Sequence, residues 1–124
     1  MEAIKRGREN TTMRNERVYK ALTKFAAQTK NLLGNKLDAV ILYGSFARDD
    51  DAEGSDVDVL ILVNVPSKKI PSIRKSIHDI AFDVGWDSGL LLSVIIENTE
   101  IYHTYQDASG FFKNVTAEGV SIVA

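Results

Sequence analysis

The chain has 124 residues, of which 44% are hydrophobic and 26% charged, and its formal net charge is −2. This length suits one domain with one hydrophobic core, and the apolar content excludes a chain that is disordered throughout. Because the sequence contains no cysteine, a disulfide framework, a thiolate zinc site and a cysteine nucleophile are also excluded.

Helical and extended patterns alternate along the first half of the chain. The first twelve residues are polar and aperiodic, and we expect them to fray. Apolar residues at helical spacing predict a helix over about residues 14–33, which Gly34 ends. The short apolar runs 38–43 and 57–65 predict two buried strands.

The second half continues with a helix, a strand and a mixed tail. An apolar stripe predicts a helix from Pro71 to Gly85, and the run 90–96 predicts a third strand. The tail is expected to form helical turns before a short last strand over 120–123. This order of elements predicts an α/β (α+β) fold, in which a small mixed central sheet is flanked by helices.

The charges are unevenly distributed although the net charge is small. Residues 1–36 carry nine basic and three acidic side chains, whereas six acids and no base fall between Asp49 and Asp58. A solvated loop is the ordinary interpretation of such a run, and we apply it to residues 49–51 and Glu53. The basic first helix is ordinarily a solvated face, although contact with RNA is an open alternative.

Two acids of this run differ from the others because they stand at the start of a predicted strand. Asp56 and Asp58 occupy alternate positions, so their side chains leave the same face, with roots about 7 Å apart. Val57 between them points into the core. Two carboxylates on one face can hold Mg²⁺, which prefers carboxylate and phosphate oxygens.

The end of the preceding strand has the features of a phosphate site. Gly44 allows a ligand to approach the backbone closely, and Ser45 adds a hydroxyl where a short helix can begin. Arg48 lies one turn further on, where a phosphate contact and a structural ion pair are equally good interpretations. A phosphate site beside a carboxylate pair fits phosphoryl or nucleotidyl transfer.

The spacing of these residues resembles the signature of a known superfamily. Gly44-Ser45, ten intervening residues and Asp56-Val57-Asp58 are similar to the motif of the DNA polymerase β-like nucleotidyltransferases. The closest similarity is to the minimal nucleotidyltransferases. They also have an aromatic residue, alanine and arginine after Gly-Ser, here residues 46–48, and a serine before the first aspartate, here Ser55. The segment 111–120 is also similar to the end of several minimal members.

The resemblance implies a fold, a reaction and a set of site residues. It implies one nucleotidyltransferase domain over residues 1–124, with the polymerase β-like fold. Asp56 and Asp58 would be catalytic and would bind Mg²⁺, while an acceptor hydroxyl of a protein or RNA attacks the α-phosphorus of a nucleoside triphosphate, with ATP the first choice. Nucleotide binding is assigned to Gly44, Ser45, Arg48 and Ser55.

The resemblance also implies a partner. Minimal nucleotidyltransferases often accompany a small all-helical protein of the HEPN type and act as its antitoxin, some of them by nucleotidylating it. A homo-oligomer is a further possibility. Because no apolar stretch approaches the roughly 20 residues of a membrane span, and no apolar secretory segment follows the basic start, we expect a cytoplasmic protein without membrane contact.

One departure from the superfamily concerns its third catalytic carboxylate, which belongs in the middle of the strand predicted over 90–96. Ser93 stands there. The nearest acids that would point to the same side of the strand, Asp87 and Glu97, fall at the ends of the predicted strand. The alternative is therefore a weak or inactive nucleotidyltransferase-fold module that neutralises its partner by direct binding. A second departure is Asp49, where many relatives have glycine.

The remaining histidines and aromatic residues carry no clear signal of chemistry. His78 and His103 are isolated, so surface or packing roles are expected rather than metal binding. Trp86, Tyr102 and Tyr105 are expected to be packing aromatics rather than platforms for base stacking.

Overall fold

The computed structural model describes residues 5–6, 13–52 and 54–122, and of residues 5–6 and 13–15 the backbone alone. Within these described residues, five strands form one sheet: β1 (Lys5–Arg6), β2 (Leu37–Tyr43), β3 (Val57–Val63), β4 (Leu92–Asn98) and β5 (Val120–Ile122). Five α-helices accompany them: α1 (Met13–Leu33), α2 (Ser45–Arg48), α3 (Pro71–Ser88), α4 (Thr99–Tyr105) and α5 (Gly110–Glu118). Short 3₁₀ turns cover Gly34–Lys36 and Ser67–Lys69.

The sheet is mixed, with the strand order β1-β5-β2-β3-β4. The strand β2 pairs antiparallel with both β3 and β5, while β3 and β4 are parallel, as are β1 and β5. The predicted class, a small mixed central sheet flanked by helices, is confirmed. Of the first twelve residues, which were expected to fray, Lys5 and Arg6 pair with Val120 and Ser121. The other ten lie outside the described residues.

Each face of the sheet carries its own layer of helices, because successive strand residues point to opposite sides. On one face, α1 and α3 cover the side chains of Val57, Val59, Ile61 and Val63 in β3. On the other, α4 and α5 cover Leu60 and Leu62 of the same strand through Tyr102, Phe112 and Val115.

The predicted boundaries of α1, β2, β3 and β4 agree with the structure to within two residues, but the end of α3 does not. The prediction that the second helix ends at Gly85 is wrong, since α3 continues to Ser88 and ends where Gly89 adopts φ 72°. At Gly85 a Cβ would lie 2.5 Å from the carbonyl oxygen of Leu90. The glycine therefore permits a close approach of the following chain, and β4 begins at Leu92, two residues later than predicted.

No helix in the described parts of the chain combines the length and apolar character that a membrane span requires.

Candidate functional site

A sharp turn connects β2 to the four-residue helix α2. Gly44 adopts φ 80° and ψ −156°, and Asp49 after the helix is left-handed at φ 61°. A Cβ at Gly44 would lie only 2.3 Å from Oδ2 of Asp58. The carboxylate of Asp58 therefore packs against the α-carbon of Gly44, and the structure brings together the two halves of the predicted site.

The strand β3 presents Asp58 on the face of the sheet that α4 and α5 cover. Asp58 pairs with Tyr43 of β2 on one side and with Ser93 of β4 on the other. Burial raises the pKa of Asp58 most, and the negative charge of Asp56 raises it further. Burial and the charge of Asp58 raise the pKa of the Tyr43 phenol to about 12.

The carboxylates of Asp56 and Asp58 are free to bind a ligand. Within the residues that the structure describes, neither carboxylate takes part in a hydrogen bond or an ion pair. Hard carboxylate oxygens with open lone pairs suit Mg²⁺, provided that substrate phosphates and water complete its coordination. Across the described residues, no group of three or more histidine or acidic side chains is placed to hold a metal by itself.

The guanidinium of Arg48 forms two ion pairs. Its Nε donates to Asp50 at 3.0 Å, and its Nη1 donates to the two carboxylate oxygens of Glu118 at 3.1 and 3.3 Å. The structure therefore contains the ion pair that is one of the two predicted interpretations of Arg48, and the phosphate contact stays a prediction. Asp50, which was expected to be a solvated loop acid, is held by this arginine.

Glu118 is a member of the site that the sequence analysis missed. It ends α5, and its Oε1 also accepts the backbone N–H of Gly44 at 3.0 Å. The following Gly119 allows this placement, because a Cβ there would meet Val115 O at 2.5 Å and Ile41 Cγ2 at 2.8 Å. The one sequence feature that could have indicated Glu118 is that it is the sole acid in residues 111–120, the segment similar to the end of several minimal nucleotidyltransferases.

The two predicted serines have different environments. Ser55 stabilises the acidic loop: its hydroxyl accepts the N–H of Ala52 at 3.0 Å, and its own N–H donates to Ala52 O at 3.0 Å. Ser45 begins α2 directly after Gly44 and is half-buried. Of the predicted loop acids, Asp49 and Asp50 are exposed, and Glu53 lies outside the described residues.

Neither candidate for a third carboxylate reaches the site. Asp87 belongs to α3 rather than to a strand, and it forms an ion pair with Lys24 at 3.4 Å. Glu97 pairs with Leu62, four residues along β4 from Ser93 and so roughly 13 Å away. Its Oε2 accepts the N–H of Asn98 at 2.9 Å.

The other residues considered from sequence lie away from the carboxylates. His78 is exposed on α3 with Nε2 3.3 Å from Val94 O, which agrees with the predicted surface role, and Tyr102 is buried, as predicted for a packing aromatic. The same prediction is wrong for Trp86 and Tyr105, which are 78% and 55% exposed. Trp86 stacks on Phe82 beside an open groove of about 800 Å³ between α3 and β4. His103 is exposed on α4.

Comparison with known proteins places this geometry in a family. The nucleotidyltransferase domain family matches residues 22–116, most of the chain. The chain belongs to this family. The predicted resemblance to the minimal nucleotidyltransferases is confirmed, and so is the assignment to the nucleotidyltransferases as a class of enzyme.

Relatives of this nucleotidyltransferase domain occur in Methanocaldococcus jannaschii. One protein, provisionally named a protein adenylyltransferase, is 37% identical over 92 residues, which are 73% of this chain and 89% of that protein. A second protein of the same provisional name is 29% identical over 100 residues, covering 81% of this chain and 92% of its own length.

Solved structures share the fold of the domain. A provisionally named nucleotidyltransferase from Sulfolobus solfataricus matches 86% of this chain and 80% of its own with a TM-score of 0.60, at 16% identity. A toxin–antitoxin structure with AMP-PNP matches 82% of this chain and 73% of its own with a TM-score of 0.51, at 13% identity.

Proposed function

We propose that this protein is a Mg²⁺-dependent nucleotidyltransferase that transfers AMP from ATP to a hydroxyl group of a partner protein. The observation that carries the proposal is the half-buried carboxylate of Asp58, packed against Gly44 and facing the charge of Asp56. The naming of two relatives as protein adenylyltransferases supports ATP and a protein acceptor. An RNA hydroxyl is the competing acceptor.

The residues present would divide the work of the reaction between them. Asp56 and Asp58 would hold Mg²⁺, which supplies positive charge against the triphosphate when bound. The Gly44 turn, with Ser45 and Arg48, would bind phosphate oxygens and orient the triphosphate. The acceptor oxygen forms a bond to the α-phosphorus, the bond from that phosphorus to the bridging oxygen breaks, and pyrophosphate and a proton leave.

The test combines binding with transfer. Purified protein is titrated with ATP and Mg²⁺ by calorimetry, and is then incubated with α-labelled ATP and the protein encoded by the neighbouring gene. We expect Mg²⁺-dependent ATP binding and a labelled acceptor, with both lost in the Asp56→Asn/Asp58→Asn variant. The matched control is Asp79→Asn, an exposed acid on α3, on the opposite face of the sheet.

We also propose the identity of the partner: a small all-helical toxin of the HEPN type, met in the cytoplasm where ATP is supplied. The toxin–antitoxin structure of similar fold supports a pairing of this kind. In the transfer assay, label that appears on RNA and not on the protein would contradict the acceptor proposed here.

A second candidate function is neutralisation by binding alone. Two observations favour it: Ser93 stands beside Asp58 where a third carboxylate belongs, and Phe82 and Trp86 expose apolar surface beside the α3–β4 groove. If the Asp56→Asn/Asp58→Asn variant still neutralises the partner and the parent protein transfers no label, this candidate replaces the enzyme.

A further inference from the structure

Two hydrogen-bond donors of the site are already bound by an anion that belongs to the chain. The backbone N–H of Gly44 donates to Oε1 of Glu118 at 3.0 Å, and Nη1 of Arg48 donates to the same oxygen at 3.1 Å. Under the proposed function, these two groups bind phosphate oxygens of the nucleotide. Glu118 therefore occupies the position of an anionic ligand.

The position of Glu118 is unfavourable apart from these two contacts. Glu118 is the last residue of α5, where the partial negative charge of a helix C-terminus repels a carboxylate. Its charge also adds to those of Asp56 and Asp58 around the same turn. The contacts with Arg48 and Gly44 must offset this repulsion, so a competing anion would release Glu118 from a crowded site.

We propose that Glu118 is an internal competitor of the nucleotide, which holds Gly44 N–H and Arg48 in the empty protein and leaves them when a triphosphate binds. The proposal rests on the proposed function, since it takes the Gly44 turn to be the triphosphate site. The competition arises because Gly44 offers a single backbone N–H. While this N–H donates to the carboxylate of Glu118 at 3.0 Å, it cannot also make a strong hydrogen bond to a phosphate oxygen.

The competition lowers the apparent affinity for the nucleotide. When only a fraction of the protein is in the conformation that binds the ligand, the apparent affinity is the intrinsic affinity multiplied by that fraction. Removing the competing contact raises the fraction and so restores the affinity for the nucleotide. Couplings between sites are typically 5- to 150-fold in affinity. For Glu118→Gln, which keeps the size of the side chain and removes its charge, we expect ATP to bind about tenfold more tightly.

The experiment measures Mg²⁺–ATP and inorganic tripolyphosphate binding by calorimetry for the parent protein, Glu118→Gln and Glu100→Gln. Glu100 is an exposed glutamate of α4 that lies away from Arg48 and Gly44. Its substitution by glutamine changes the net charge by the same amount as Glu118→Gln. We expect Glu118→Gln to tighten both ligands while Glu100→Gln leaves them within twofold. Adenosine, which lacks phosphate, should show no difference between the three proteins.

Unchanged or weaker ATP binding by Glu118→Gln, with normal binding by the parent, would overturn the competitor and leave the proposed function intact. If no protein binds ATP, the proposed function fails, and tripolyphosphate alone decides whether Glu118 competes for an anion site. Glu118→Asp guards against a folding defect, since its shorter side chain keeps the charge but reaches the two donors less well. It should also tighten ATP, and a matching melting temperature confirms the fold.

Discussion

At the scale of single residues, the site depends on the contact between Gly44 and Asp58. The glycine combines a positive φ with an α-carbon that touches a carboxylate, so two separate physical reasons exclude a side chain at this position. The ionised form of Asp58 is destabilised at this position, because burial and neighbouring negative charge both raise its pKa.

The first prediction concerns Gly44→Ala. The new methyl would lie 2.3 Å from Oδ2 of Asp58, so the carboxylate must move, and we expect Mg²⁺–ATP binding to fall at least tenfold. The backbone of Gly44, with φ 80° and ψ −156°, is almost exclusive to glycine, and this adds about 1–3 kcal/mol of destabilisation. Gly34→Ala is the matched control, because φ is +61° there and no atom lies within 4 Å of its Cβ. It should lose stability but bind ATP normally, and equal binding losses in both variants would contradict this account.

The second prediction concerns Asp58→Asn and pH. Because the pKa of Asp58 is raised in the folded protein, the folded state binds more protons than the unfolded state, and this acid lowers stability as pH rises above its ordinary pKa. We therefore expect Asp58→Asn to raise Tm at pH 7 and to raise it less near pH 3, while abolishing transfer. A lower Tm at pH 7, measured by thermal melts at both pH values, would contradict the assignment.

At the scale of elements, close approaches at glycine decide how α3 and α5 meet the sheet. Gly85 lets the chain after α3 return against the helix, and Gly119 lets the end of α5 lie on β2. Both glycines look like helix terminators in the sequence, but only Gly119 follows a helix. Gly85 lies inside α3 although glycine weakens a helix by roughly 1 kcal/mol relative to alanine.

The third prediction is that Gly85→Ala destabilises the protein, contrary to helix propensity. Its Cβ would lie 2.5 Å from the carbonyl oxygen of Leu90, and we expect a loss of about 1–3 kcal/mol from overpacking. Gly110→Ala is the control, since Gly110 begins α5 with no atom within 4 Å of its Cβ. Urea denaturation should show a neutral or stabilising effect for the control. Stabilisation by Gly85→Ala would show that the chain after α3 is free to move.

At the scale of the whole molecule, the strand order decides which distant residues share a face. The face that carries Asp58 is the one covered by α4 and α5, so Glu118 meets Gly44 across 74 positions of the sequence. The opposite face carries α3, whose exposed Phe82 and Trp86 border the groove beside β4. The candidate site and this apolar surface are therefore distinct parts of the protein.

The fourth prediction separates the two surfaces. Trp86 is 78% exposed, so Trp86→Ala should change the free energy of unfolding by less than about 0.5 kcal/mol and leave Mg²⁺–ATP binding unchanged. If the α3 surface contacts the partner, the same variant should weaken partner binding at least tenfold in a pull-down or calorimetric titration. Tyr105→Ala, an exposed aromatic on the other face, is the control. Equal effects of both variants on partner binding would exclude a specific role for the α3 surface.

Much of the fold could be predicted from sequence because hydrophobic periodicity records which residues are buried. The periods of α1, β2 and β3 predicted those elements to within two residues. The errors at Gly85 and Leu90 arose because a glycine required for close packing has the same local appearance as a helix terminator. Trp86 was misjudged because its aromatic character does not reveal which side of α3 lies against the sheet.

The sequence by itself determined the family and the local motif, since Gly44-Ser45 directly follows β2 and Asp56-Val57-Asp58 leads into β3, the next strand along the chain. Only the tertiary structure decided that Glu118 binds Gly44 and Arg48, and that Asp87 and Glu97 lie away from the carboxylates. The physical reason is that these relations depend on strand order and register. Both result from packing across the whole sheet, and no short stretch of sequence encodes them.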